Sequence, residues 1–240
     1  MKFYDRQFAL DYDRRLSAEG YPGNLLDEVA SRIKGAGRII DVGAGTGFFT
    51  APLARIGHRV EAVEPSQWMA ALLEEKLEGE ARGRVRVSVV PWEDWSGDRA
   101  DALVCVHAIY PMKDTRAALR KMSEYAAKSV LLVKSDVGTL SLAELLRARF
   151  GGGHGGSGVF RTQVTDALDV IGLDYEVHNV EQIRVTRIAD LDEESEYFRR
   201  HLGLEEGMGP EVRRVLEEVC ARDKQGYSFR GVYHDVVITF

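Results

Sequence analysis

Asp41-Val42-Gly43-Ala44-Gly45-Thr46-Gly47 is the stretch on which the reading of this chain turns, with a second landmark at Glu64. Upstream, Arg38 to Val42 reads as a short buried strand. Downstream, Phe49, Leu53 and Ile56 recur at helical spacing. The glycines therefore fall in a strand-to-helix turn, where the backbone must bend sharply and can come close to a ligand. A second strand, Arg59 to Glu64, ends on a carboxylate just before Pro65. A carboxylate there can accept hydrogen bonds from both ribose hydroxyls of a nucleoside lying over the glycines.

Dinucleotide sites favour G-x-G-x-x-G. This chain has G-x-G-x-G, with an acid two residues ahead and Phe48 where the late glycine would fall. The pattern D-x-G-x-G-x-G followed by Glu64 resembles the class I S-adenosylmethionine-dependent methyltransferases. The resemblance implies S-adenosylmethionine as cofactor and S-adenosylhomocysteine as product. It places Asp41 near the methionine amino group, and Gly43, Ala44, Gly45 and Gly47 under the ribose and methionine. Glu64 then holds the ribose, with Pro65 beside it.

The rest of the chain fits that expectation. Its 240 residues suit one domain and are ample for a sizeable core. No apolar run approaches the roughly 20 residues of a membrane helix. The start, Met1 to Arg6, lacks the apolar stretch of a secretory signal. Cys105 and Cys220 follow no metal or redox spacing, and His154 stands alone, so no metal site is expected. A reduced, cytoplasmic setting is the simplest account. The net charge of −6 argues against a large nucleic-acid footprint. The oligomeric state is left open.

Apolar strands at 85–90, 102–106 and 129–133 alternate with amphipathic helices, one from Asn24 to Ile33, one capped by Ser66 and one by Asp114. This alternation over about 36–134 predicts a doubly wound α/β sheet. Beyond it, Ser141-Leu142-Ala143-Glu144 opens a helix as a capping box, and 165–172 forms another. Tyr175 to Val185 is a long strand, and helices near Glu194–Leu202 and after Pro210 precede a last strand, Val232–Phe240. By resemblance this completes a mostly parallel, Rossmann-like seven-stranded sheet whose last strand runs antiparallel between strands five and six. One domain spans 1–240, with helical cap insertions at about 138–165 and 187–228.

Trp92 and Glu93 follow strand three, where such methyltransferases surround the adenine: Glu93 can accept from the exocyclic amine, and Trp92 can cover the ring or equally pack in the core. His107 and Tyr110 follow strand four. His107 is placed to line the methionine half of the cofactor or to serve as a base for the acceptor, with Tyr110 beside it. Phe3-Tyr4-Asp5 and Asp11 to Arg15 resemble the N-terminal helix of small-molecule members, which folds over the cofactor, with Tyr12 as the contact. Lys134 reads as a rim charge. Gly151 to Gly158 holds six glycines in eight residues. It is a surface loop or an anion-binding lid, without the Gly-Lys-Ser/Thr ending of a nucleotide P-loop.

The implied activity is transfer of a sulfonium methyl group to a small-molecule acceptor, which the cofactor motif does not specify. A nicotinamide-dependent oxidoreductase would share the fold class, but the glycine spacing opposes it. A cofactor-binding scaffold would keep Asp41 and Glu64 and lack an acceptor pocket. That pocket is expected between the carboxyl ends of strands four and five and the cap, so His107→Ala should reduce methyl transfer more than cofactor affinity.

Overall fold

The computed structural model describes residues 5–135, 139–151, 160–224 and 226–240. Phe3-Tyr4 and all of the Gly151–Gly158 loop except Gly151 lie outside them.

Two helices, α1 (Arg6–Ala18) and α2 (Leu25–Arg32), precede the alternating unit. That unit runs β1 (Arg38–Val42), α3 (Thr50–Arg55), β2 (Arg59–Val63), α4 (Gln67–Glu75), α5 (Gly79–Arg84), β3 (Val85–Ser88), β4 (Ala102–Val106), α6 (Thr115–Tyr125) and β5 (Ser129–Lys134). Then come α7 (Leu142–Phe150), α8 (Phe160–Ile171), β6 (Glu176–Ile188), α9 (Leu191–His201), α10 (Gly209–Val219), β7 (Ala221–Asp223) and β8 (Gly226–Thr239). The sheet order is β3-β2-β1-β4-β5-β8-β6. β3, β2, β1, β4 and β5 are parallel, and β8 runs antiparallel between β5 and β6. The expected doubly wound, mostly parallel sheet is therefore present. The short β7 pairs with β8 as an eighth strand.

Local chemistry explains the element boundaries. Ser66 Oγ accepts from Met69 N–H at the start of α4, and Asp114 Oδ1 from Ala117 N–H at the start of α6. Ser141 does the same for Glu144 at α7. Each side chain satisfies a backbone donor that has no partner within the helix. β1, β4 and β5 are buried on both faces, which is why they read as unbroken apolar runs. One face packs Ile40, Leu103 and Leu131 against Leu119, Met122 and Leu168. The other packs Ile39, Val104 and Val130 against Leu25, Val29 and Leu53.

Two boundaries differ from the sequence reading. β3 stops at Ser88, two residues early, because it is an edge strand with Val89 exposed and Pro91 unable to donate. β8 begins at Gly226 and β6 continues to Ile188, since each is the other's partner along an unbroken antiparallel ladder. Lys134 and Asp235 form the last pair with β5. Beyond them the β6–β8 ribbon projects past the carboxyl edge of the parallel strands as a wall. Its far end builds a third core, in which Ile188 and Phe229 meet Leu146 of α7, Phe198 of α9 and Val212 and Leu216 of α10.

Candidate active site

The glycine turn closes on β2. Gly43 and Ala44 N–H both donate to Val63 C=O, at 2.7 and 3.2 Å. Gly43 has φ +71°, and a Cβ there would lie 2.1 Å from the Ala108 Cβ. No side chain fits, because the turn leans directly on the loop after β4. Gly45, at φ +56°, is different: a Cβ there meets nothing nearer than 4.0 Å. The middle of the turn therefore has room above it. Gly47 packs against Leu73 of α4, 2.9 Å from where its Cβ would stand, and Ala44 is buried with that helix.

Two buried carboxylates flank the turn. Glu64 accepts from Gly45 N–H through Oε2 and from Ser66 N–H through Oε1, both at 2.8 Å. Burial raises its pKa, while those two amides oppose the shift. A carboxylate has about four acceptor sites, so two remain for ligand hydroxyls. Pro65 next to it is exposed. Asp41 receives the Thr50 hydroxyl at 2.5 Å. Burial pushes its pKa up to about 6, opposed by Thr50 and reinforced by the Glu64 charge.

The first helix lies across this turn. Asp13 accepts from both the Thr46 hydroxyl and the Lys76 ammonium, tying α1 to the turn and to the end of α4. Lys76 Nζ also sits 4.2 Å from the centre of the Phe48 ring. Tyr12, one residue earlier, has its hydroxyl raised to about 12 by burial, then by the Glu64 charge, with Arg184 opposing. It thus lies in the electrostatic reach of both Glu64 and Arg184 on β6. Arg15, on the same helix, pairs with Glu194 of α9 at 2.8 Å and lies over the Tyr197 ring.

Past β4, His107 holds a left-handed backbone conformation, φ +52°, which is uncommon away from glycine. His107 Nδ1 is 3.0 Å from the Tyr110 hydroxyl, whose oxygen accepts from Lys134 N–H at 2.8 Å. On the other side, His107 Nε2 is 3.4 Å from Asp235 Oδ1 on β8. Burial, then the Lys134 and Arg184 charges, lower the imidazole to about 3, so it stays neutral.

A family described as a methyltransferase domain matches residues 12–155, more than half of the sequence. The chain belongs to that family. Its methyl donor is S-adenosylmethionine. Over 116 residues the methyltransferase is 29% identical to ribosomal RNA small subunit methyltransferase A of Thermotoga neapolitana, 47% of this chain and 42% of that one. The match thus spans less than half of that relative. The YcgJ protein of Bacillus subtilis superposes with a TM-score of 0.57 at 14% identity, covering 89% of this chain and 96% of that one. Phosphoethanolamine N-methyltransferase 2 of Haemonchus contortus, solved with S-adenosylhomocysteine, gives 0.59 at 17% identity over 99% and 58%. At such identities the likeness is one of fold.

The structure brings together Tyr12, Asp41, the glycines and Glu64, but corrects the expectation for Trp92. Its indole is 2% exposed, stacks on Trp95, and donates to Ala118 C=O. It is core, because β3 ends early and the following turn folds inward. Glu93 is exposed, with Lys113 N–H reaching it at 3.4 Å. The expectation of a free base at His107 is also revised: Nδ1 takes the Tyr110 proton and Nε2 faces a carboxylate, so neither nitrogen offers a lone pair to an acceptor.

The inward turn is held by Lys121, whose ammonium donates to the carbonyls of Trp92, Glu93 and Trp95 at 2.7, 3.0 and 2.6 Å. Lys121→Met should cost about 2 kcal/mol by orphaning those acceptors. Urea denaturation and calorimetry with S-adenosylhomocysteine check this: stability should fall and affinity should not.

Sequence reasoning missed Asp13, Thr46, Lys76, Arg184 and Asp235. Thr46 lay inside the motif and Asp13 beside Tyr12. Nothing in the local sequence marked the last two, which meet the site only through the pairing of β6 with β8.

Proposed function

We propose that this methyltransferase acts on a small molecule, with Glu64 holding the cofactor ribose. The observation that carries the reading is Glu64 itself: a carboxylate 7% exposed, locked to the Gly45 amide beside the one open position of the glycine turn. The donor set fits the cofactor. Glu64 retains acceptor capacity for two hydroxyls, Asp41 offers a carboxylate to an ammonium, and Gly45 leaves space where backbone must approach a ligand.

When bound, S-adenosylmethionine supplies an electrophilic methyl group on a positively charged sulfur. The protein's part is alignment and exclusion of water. Glu64 and the turn fix one end of the cofactor. Tyr12, on a helix pinned by Asp13 to Thr46 and Lys76, covers it from above. The β6–β8 wall closes the side toward the acceptor. The net charge of −6 favours a small acceptor over a nucleic acid.

Glu64→Ala should weaken S-adenosylhomocysteine binding by roughly 1.5–3 kcal/mol, the range for hydrogen bonds to a charged group. Unchanged affinity by calorimetry would remove the ribose assignment. Thermal shifts with NAD in parallel separate the oxidoreductase alternative. Labelled methyl transfer to a metabolite extract separates an enzyme from a scaffold, and transfer to ribosomal RNA would overturn the small-molecule reading.

A further inference from the structure

Asp235 is 4% exposed, and its Oδ2 has no hydrogen-bond partner among the described residues. A buried carboxylate oxygen without a hydrogen bond costs free energy, and such a group calls for an explanation. The nearest cation, Arg184, stands 3.9 Å from Oδ2. Its guanidinium is directed elsewhere, donating to Gln182 Oε1 and lying over the Tyr21 and Tyr233 rings at 4.8 and 4.3 Å from their centres. Oδ1, by contrast, faces the imidazole edge.

Hydrogen bonding sets the direction of that contact. The Asp235 carboxylate only accepts, so the neutral imidazole meets it with its N–H and leaves Nδ1 to accept from the Tyr110 hydroxyl. The imidazole proton is then on Nε2, facing Asp235 Oδ1. His107 and Tyr110 are thus positioning residues that orient a carboxylate.

The place is right for an acceptor. Asp235 pairs with Lys134 at the carboxyl edge of the parallel strands, where open α/β sheets bind ligands. Pairing of Val180 with Asp235, Gln182 with Tyr233 and Arg184 with Gly231 puts Asp235, Tyr233, Gln182 and Arg184 on one face of the ribbon. A hollow of ≈ 300 Å³, lined by Glu19, Gly20, Gln182 and Arg184 among others, opens to solvent beside two of these residues.

We propose that Asp235 Oδ2 binds the methyl acceptor through an N–H of a compact amine. This rests on the reading of the chain as a small-molecule methyltransferase and names its acceptor class. A buried carboxylate is suited to nitrogen that gains positive charge. An amine held by its N–H keeps its lone pair for the methyl carbon. As the N–C bond forms and the C–S bond breaks, the electron pair stays on sulfur and the surplus proton on nitrogen passes to Asp235.

The test uses the full chain, ¹⁵N-labelled at histidine and saturated with S-adenosylhomocysteine, and follows the His107 ring nitrogens by long-range ¹H–¹⁵N correlation. The resonance is assigned with His107→Gln. Methylammonium chloride is titrated against potassium chloride at equal ionic strength, with methanol as the hydroxyl probe. A saturable methylammonium shift at Nε2 that disappears in Asp235→Asn, and persists with altered amplitude in Asp235→Glu, supports the proposal. No saturable shift in the wild type, or the same shift in Asp235→Asn, overturns it. A response to methanol alone overturns the amine class in favour of a hydroxyl acceptor. Calorimetry on the same samples reports cofactor binding separately, so failure there counts against the methyltransferase reading and not against Asp235.

Discussion

Valine at Gly45 is expected to abolish S-adenosylhomocysteine binding in a chain that still folds, whereas alanine at Gly43 is expected to damage the fold itself. Both glycines have positive φ, so any side chain adds about 1–2 kcal/mol of backbone strain. What separates them is space. The Gly43 Cβ would overlap the Ala108 Cβ at 2.1 Å, and relieving that clash pushes the turn away from the loop that carries His107. Overpacking of this kind costs about 1–3 kcal/mol more, bringing the total to roughly 2–5 kcal/mol. At Gly45 the atom nearest to a Cβ is 4.0 Å away, so a side chain there adds backbone strain without that clash and projects into the space left for a ligand. Urea denaturation and calorimetry read the two effects apart. Wild-type affinity in Gly45→Val would show that the open side of the turn is not the cofactor site. Wild-type stability in Gly43→Ala would contradict the packing against Ala108.

Asp41→Asn is expected to stabilise the protein at pH 8 and to weaken its cofactor binding. The folded-state pKa of Asp41 is raised to about 6 from an ordinary 3.8, mainly by burial. A carboxyl with a raised folded pKa binds its proton more tightly in the native state. Its contribution is therefore fully present below the unfolded value and is lost as pH climbs from about 4 to about 6. Two units correspond to about 3 kcal/mol of destabilisation once the group is ionised. The amide carries no charge and can still accept from the Thr50 hydroxyl, so about 2 kcal/mol should be regained at pH 8 and almost none at pH 4. At roughly 2–4 °C per kcal/mol for a chain of this size, the melting temperature at pH 8 should rise by about 4–8 °C. Equal melting at pH 8 would mean that the buried charge is compensated by a contact not seen here. A gain in stability with a loss of affinity is the pattern of a residue kept for its ligand rather than for the fold.

The sequence by itself determined the parallel half of the molecule. Glycines at 43, 45 and 47 between an apolar run and a helical stripe permit little besides a strand-to-helix turn. A carboxylate ending the next strand must then lie beside that turn, because β2 pairs with β1 in parallel register. Caps at Ser66, Asp114 and Ser141 were legible for the same reason: their partners lie three residues away. Tertiary structure decided everything that depended on distant pairing. Trp92 looked like a ligand contact because it follows an apolar strand. An ammonium from Lys121 folds that turn inward, and no local pattern encodes this. His107 looked like a base until Tyr110 and Asp235 took its two nitrogens, the second from a strand more than a hundred residues away. The reach of β6 and β8 beyond the sheet was hidden because a strand's length is set by its partner, and each of these is the other's. Local chemistry thus fixed the glycine turn and the carboxylate beside it, and long-range β pairing fixed which groups gather at the carboxyl edge of the sheet.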